Sequence, residues 1–404
     1  MNFKKNKLYI ENIEAKNIAR KFGTPSYCYS FNKLKKNIQS FKNNFKSINP
    51  LICFSVKSNS NLQILKEIKK FGIGADVVSK GELLIALKAG INPKKIVFSG
   101  IGKTFDEIKF AIEKNILLIN AESESEINEI EKIAKNKNKK IDIGIRLNPN
   151  INAKTLKKIS TGKNEDKFGI EELNFLKILK KLKNSKYLNT KCLSVHIGSQ
   201  ILNHKPYKIM LQVINKIIKK SNYNFEYIDL GGGMGISYHD KDKKFKYNKY
   251  SAAVKKFLKN HKSKIIFEPG RSIIGNTGTL ITKVIYIKDS ERKKFIILDA
   301  AMNDLMRPAL YGSIHKTIPV IKSRKVSKKT YEFVGPICES TDKFITIKNF
   351  QELQEKDYIV ICDVGAYGMS LSSNYNLRTK PLELLIKNNK IKIIRKRQKH
   401  KDLI

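Results

Sequence analysis

The sequence predicts an α/β fold, a (β/α)8 TIM-like barrel joined to a mostly β second domain. Three observations predict it. From residue 51 onward a short apolar run, a polar or glycine-containing loop and an amphipathic helical pattern recur eight times in about 220 residues. The chemically unusual residues fall at the ends of those runs: Lys57 after the first, His196 in the sixth, Gly231–Gly233 after the seventh and Glu268–Arg271 after the eighth. After residue 276 helical periodicity stops, and short β-branched runs separated by turns take over. A doubly wound sheet is the rival, but it would spread those strand ends over its full width, whereas a barrel gathers them on one face.

Taken in order, the first thirty residues carry strand-like runs at Leu8–Ile10 and Ser26–Ser30, which could pair with the later β segment. The barrel strands are expected at 51–56, 73–78, 96–98, 116–119, 141–147, 192–197, 227–230 and 265–267. Helices are expected at 61–71, 81–89, 104–114, 123–134, 173–182, 207–218 and 251–258, where apolar residues fall at i, i+3, i+4 and i+7. Ser123-Glu124-Ser125-Glu126 resembles a capping box. Beyond the barrel, strands are expected at 279–287, 294–298, 330–333, 358–361 and 391–394. The expected division is therefore 30–276 for the barrel, with 1–29 and 277–404 forming the β domain.

Length and composition fit this reading. With 404 residues, 41% of them apolar, the chain can fill two cores. No apolar run reaches eighteen residues, so no membrane partner is expected. Acidic and basic residues follow the basic N-terminus where a signal peptide would be apolar, which predicts a cytoplasmic protein. Five scattered cysteines contain no C-x-x-C pair, so neither a metal site nor a disulfide framework is expected. Cys28, Cys53, Cys192 and Cys362 lie in apolar runs and read as core, whereas Cys338 lies in a Gly/Pro-rich loop. The net charge of +44 suggests polyanion binding, but the excess is Lys spread along helices. It forms no basic block interleaved with aromatics, so no specific nucleic-acid partner is expected.

Three pieces point together to amine chemistry on pyridoxal 5'-phosphate. Lys57 ends an apolar run in Phe54-Ser55-Val56-Lys57-Ser58-Asn59; partial desolvation there favours a nucleophilic amine. Glu268, Pro269, Gly270 and Arg271 end the eighth run, where a carboxylate could pair with a pyridine nitrogen. Cys338 and Glu339 place a thiol beside a carboxylate in Gly335-Pro336-Ile337-Cys338-Glu339-Ser340-Thr341. In support, Gly231, Gly232 and Gly233 could turn backbone N–H groups toward a phosphate. His196 could stack on an aromatic ring, and Ser199 could donate to a phosphate. Arg307 and Tyr311 could hold a substrate carboxylate and Glu339 a substrate ammonium, while Tyr367 lies in a glycine-rich loop that could cap a site. Each has a plain alternative. Lys57 could be a snorkelling lysine, His196 a satisfied core residue, the glycines a tight turn, Glu268 a structural salt bridge to one of many lysines, and Arg307, Tyr311 and Glu339 ordinary surface pairs.

In their order these motifs resemble the diaminopimelate decarboxylases, fold-type III pyridoxal-phosphate enzymes built on an alanine-racemase-like barrel. The resemblance runs from about residue 25 to 385. It rests on Phe54–Asn59, Gly74–Leu83, His196–Gln200, Asp229–Ile236, Glu268–Arg271, Asp299–Tyr311, Val334–Ser340 and Gly365–Asn376. It implies that Lys57 carries the Schiff base and that His196 stacks on the cofactor ring. Ser199, Gly232, Gly233, Pro269, Gly270, Arg271 and Tyr367 would surround the cofactor, with Glu268 on its ring nitrogen. Arg271, Arg307, Tyr311, Glu339 and Tyr367 would bind substrate. Cys338 would donate a proton and reach the site of the other subunit in a homodimer. Ser58 stands where this family usually has Ala, and Lys80 and Thr341 where Gly is common; of these, Thr341 could shift the Cys338 loop.

The implied reaction takes meso-2,6-diaminopimelate to L-lysine and CO2, the last step of lysine biosynthesis. An ornithine or arginine decarboxylase on the same fold is the nearest rival, with an alanine racemase further off. Rivals of other classes are a catalytically dead relative, which should lack the lysine or the thiol, and a nucleic-acid binder.

Overall fold

The computed structural model of the chain describes residues 1–153, 161–163, 165–239 and 242–404. They fall into two compact units: Ile38–Ile236 with Lys243–Ser272, and Met1–Asn37 with Ser237–Asp242 and Ile273–Ile404.

In the first unit eight parallel strands follow one another around a closed barrel: Leu51–Ser55, Gly74–Val77, Ile96–Phe98, Leu118–Ala121, Ile141–Arg146, Leu188–Ser194, Tyr227–Asp229 and Lys264–Phe267. Closure is made by the last strand pairing with the first, Ile266 opposite Leu51 and Phe267 opposite Ile52, which excludes the open doubly wound sheet. Cys53, Val97, Leu118, Cys192 and Ile266 form one buried cluster. They come from five strands around the ring and can meet only through its interior, so the barrel is a packed core. Strands covered on both faces need no polar alternation, and most of their residues are buried apolar groups.

Four helices of the barrel, those starting at Leu62, Lys80, Phe105 and Glu124, begin at a side-chain cap. At Thr104 the capping box is complete: the hydroxyl accepts the Glu107 N–H, and the Glu107 carboxylate accepts the Thr104 N–H. At Ser123 the box is half-built. The hydroxyl accepts from Glu126 N–H, but the Glu126 carboxylate accepts the N–H of Glu122.

One expected boundary changes the placement of a site residue. The sixth strand ends at Ser194, so His196 lies beyond it rather than inside it. This strand also begins at Leu188, earlier than its apolar run suggests. The polar stretch Asn189-Thr190-Lys191 belongs to it because Leu188, Asn189 and Thr190 pair in parallel with Ile141, Asp142 and Ile143 of the fifth strand; at the register shift that follows, Lys191 reaches Asp142 and Glu226 at 3.1 and 3.0 Å.

In the second unit the long strand Gly278–Asp289 is the hub. It pairs antiparallel with Ser26–Ser30, Lys293–Leu298 and Tyr358–Ile361. Ser26–Ser30 also pairs in parallel with Leu382–Lys387. Leu8–Ile10 lies within Lys7–Ile10 of a three-stranded sheet, and this run also meets the later β segment: Lys7 bridges Ile321, and the Leu8 N–H donates to the Val320 carbonyl oxygen at 2.9 Å. Cys28, Ile281, Val360, Cys362 and Leu384 share the core of this unit. Cys338 alone among the five cysteines is exposed. Among the described residues no helix is long and apolar enough to cross a membrane.

Candidate active site

Every barrel strand delivers a polar group at or just past its C-terminal end: Lys57, Asp76, Ser99, Asn120 with Glu122, Arg146, Ser194 with His196, Asp229 and Glu268. A charged or polar side chain inside a packed barrel is costly unless partnered, and these are joined to one another. Lys57 sits on a single 3-10 turn, Val56–Ser58, directly after the first strand. Its Nζ lies 2.9 Å from Asp76 Oδ2, which is fully buried while the lysine side chain keeps 37% of its surface open. The Ser55 hydroxyl donates to the same Asp76 oxygen at 2.8 Å and also approaches the Glu268 carbonyl oxygen at 2.9 Å, tying the first strand to the second and eighth.

A second chain of bonds joins the carboxyls. Asn120 Nδ2 donates to Asp229 Oδ2 at 3.0 Å and lies 3.2 Å from Ser99 Oγ, which reaches Glu268 Oε1 at 3.3 Å. Burial pushes the Glu268 carboxyl well above the ordinary range, and Asp229 and Asp76 push it further. Asp229 is raised too, again chiefly by burial. The pair therefore favours holding a proton between them. Arg146 and Glu122 form a buried ion pair at 2.8 Å, with the guanidinium over the Phe168 ring.

The imidazole of His196 has a defined tautomer. The Gly232 N–H donates to Nδ1 at 3.2 Å, so Nδ1 is the unprotonated nitrogen. Burial, with the nearby Arg146 and Lys57 cations, pushes its pKa well below the usual value, which keeps the ring neutral. The glycine loop that fixes it tolerates no side chain: a Cβ on Gly232 would sit 2.1 Å from the Glu268 carbonyl oxygen, and one on Gly233 2.3 Å from that of Gly198. Gly233 also has φ +87°, in the left-handed region. Arg271 is buried and donates from Nη2 to Ser199 Oγ at 3.2 Å. Lys57, His196, Ser199, Gly232, Gly233, Glu268, Pro269, Gly270 and Arg271 thus all belong to the barrel unit.

Arg307, Tyr311, Cys338, Glu339 and Tyr367 belong to the other unit. Arg307 opens the short helix Arg307–Tyr311 and is buried, so it is not the surface pair its sequence context allowed. Tyr311, half-buried, closes that helix. Tyr367 is half-buried with φ +57°. Cys338 and Glu339 lie exposed on the loop between the antiparallel strands Thr330–Val334 and Lys343–Ile347. Asp342 holds that loop: Oδ2 accepts the Ile337 N–H and Oδ1 the Met302 N–H, both at 2.7 Å. A Cβ on Gly335 would lie 2.4 Å from Asp342 Oδ2, so only glycine fits there. The Thr341 hydroxyl donates to Glu339 Oε2 at 3.0 Å. Tyr375 also donates to Glu339, and these bonds hold the Glu339 carboxyl below its ordinary range.

Sequence reasoning assigned no individual role to Asp76, Asn120, Arg146, Asp229, Asp342 or His315. The available signal was a polar residue at the end of, or within, an apolar strand run, as with Asp76 in Gly-Ala-Asp-Val and Asp229 in Tyr-Ile-Asp.

The chain is similar to known proteins over nearly its full length. A family model described as "Pyridoxal-dependent decarboxylase, pyridoxal binding domain" matches residues 31–275. A diaminopimelate decarboxylase of Helicobacter pylori strain J99 is 44% identical over 95% of this chain and 95% of that relative. One from Aquifex aeolicus is 39% identical over 99% of this chain and 95% of its own length. The crystal structure of the Helicobacter pylori enzyme complexed with L-lysine superposes with a TM-score of 0.92 at 42% identity, covering 96% of this chain and 98% of that one.

Proposed function

The chain belongs to the diaminopimelate decarboxylase family of pyridoxal-dependent decarboxylases, and we propose on that premise that it removes one carboxylate from meso-2,6-diaminopimelate to give L-lysine and CO2. The observation that carries the reading is the barrel rim, where an amine, a neutral imidazole and a proton-holding carboxyl pair stand at the ends of neighbouring and facing strands.

The donor set fits pyridoxal 5'-phosphate. The crowded Gly232–Gly233 turn leaves backbone rather than side chain facing a ligand, and the Ser199–Arg271 pair adds a hydroxyl and a cation suited to a phosphate. Bound there, the cofactor supplies the electron sink that weakens the bond from Cα to the departing carboxylate. Lys57 would hold it, with Asp76 orienting the amine. Glu268, with Asp229 behind it, would supply a proton to its ring nitrogen. Neutral His196 would lie against the cofactor without adding a second positive charge. Ser199, Gly232, Gly233, Pro269, Gly270, Arg271 and Tyr367 complete the cofactor site.

Arg271, Arg307, Tyr311, Glu339 and Tyr367 bind substrate. The distal end of diaminopimelate is a zwitterion, which calls for a cation and an anion together; Arg307 and Glu339 are that pair. Cys338 Sγ gives a proton to Cα after CO2 has left. The working unit is a homodimer in which Cys338 serves the partner's site, in the cytoplasm, at the last step of lysine biosynthesis.

The test is a steady-state assay of purified protein with diaminopimelate, ornithine and arginine. Turnover of diaminopimelate alone is expected. Turnover of ornithine with none of diaminopimelate would reject the proposal, because ornithine has no distal carboxylate for Arg307.

A further inference from the structure

Arg307 is buried among groups that fix it. His315, 1% exposed, stands between it and the backbone. Nδ1 of His315 is 2.8 Å from the carbonyl oxygen of Cys362, and Nε2 is 2.8 Å from Arg307 Nη1. A carbonyl can only accept, so Nδ1 carries the proton. A guanidinium can only donate, so Nε2 offers its lone pair. Both contacts are satisfied together only by the neutral Nδ1–H tautomer. Ser313 Oγ accepts from Nη2 at 3.2 Å, and the Tyr238 ring lies 4.7 Å beneath the guanidinium. The same Tyr238 ring meets the His315 ring edge-on at 5.2 Å. Two in-plane acceptors and one face contact leave the guanidinium little freedom to turn.

We propose that His315 is a positioning residue for substrate, whose Nε2 sets the plane of the Arg307 fork so that it receives the distal carboxylate of the substrate. The proposal rests on the assignment of Arg307 to that carboxylate. An arginine whose plane is already fixed loses less freedom when it closes a bidentate contact, so the gain appears in binding rather than in the chemical step. An imidazole suits the post because it accepts from a cation without bringing a negative charge. A carboxylate there would form a closed ion pair and compete with the substrate.

Two ligands separate this role from general damage. L-lysine carries the distal carboxylate, while cadaverine has the same chain and amines without it. In His315→Leu, inhibition by L-lysine and KM for diaminopimelate are expected to weaken roughly tenfold to a hundredfold, with inhibition by cadaverine unchanged. His315→Gln, which can donate to Cys362 and accept from Arg307, should recover most of the loss. Equal weakening of both inhibitors, or a Leu variant that binds L-lysine like the wild type, overturns the proposal. Nitrogen NMR of the wild-type protein gives a second reading that does not depend on a folded variant: Nδ1 protonated with Nε2 bare is required, and the opposite tautomer also overturns it. Failure of the wild type to turn over diaminopimelate would be a failure of the proposed reaction, visible before any variant is made.

Discussion

At the scale of single residues, chemistry follows from which partner a side chain meets. Lys57 is one lysine in a chain with 80 lysines and arginines, and what distinguishes it is the buried Asp76 at 2.9 Å. Lys57→Ala is expected to abolish the visible absorbance of bound cofactor, and borohydride treatment should then leave no cofactor-sized mass on the peptide spanning residue 57. An unchanged spectrum would remove Lys57 from its role. Cys338 offers a cleaner separation, because it is exposed and supports no core contact. Cys338→Ala should retain cofactor and fold while turnover falls by roughly two orders of magnitude or more, as for loss of a proton-transfer group. Wild-type rates in that variant would show that another group protonates Cα.

At the scale of elements, the site depends on how loops are held at strand ends. The loop from Gly335 to Thr341 is fastened by one carboxylate, Asp342, that accepts N–H groups from two separate segments. Asp342→Ala leaves both N–H groups without that acceptor, and a lost bond to a charged group costs about 1.5–3 kcal/mol. Turnover should drop while cofactor content stays at the wild-type level; equal activity in the two proteins would mean that the loop holds itself. Much of this scale was legible in the sequence. The eight barrel strands were readable because buried parallel strands are continuous apolar runs, and Lys57, Gly232 and Glu268 were readable as interruptions at their ends. The start of the sixth strand was not, because the polar residues Asn189 and Thr190 belong to it through backbone pairing with the fifth strand, which no local pattern announces. His315 was hidden for a similar reason. Its partners are a carbonyl 47 positions away and an arginine eight positions away, and no single helix or strand holds His315 together with either of them.

At the scale of the whole molecule, buried carboxyls make stability depend on pH. Asp304 is 1% exposed, and burial raises its pKa from 3.8 to about 7, with the Ala301 N–H and Arg378 opposing the rise and Asp299 and Asp342 adding to it. Between those two values the folded protein holds a proton that the unfolded chain has released. Stability from this group is therefore lost as pH rises from about 4 to about 7, and the penalty is complete above that window. Asp304→Asn removes the titration but supplies one acceptor where Asp304 serves two donors, the Ala301 N–H and the Asn303 amide. One lost hydrogen bond costs the variant about 1 kcal/mol, but at pH 5, more than one unit above the unfolded value, the wild type has already lost about 1.5 kcal/mol, so the two proteins should be close in stability there. At pH 8 it should be the more stable, with a swing of about 3 kcal/mol between the two conditions. The net charge of +44 adds self-repulsion to both proteins alike, so it cancels in the comparison. Denaturant midpoints at the two pH values measure the swing; a difference that stays constant from pH 5 to pH 8 would mean that Asp304 titrates in the folded protein as it does in the unfolded chain.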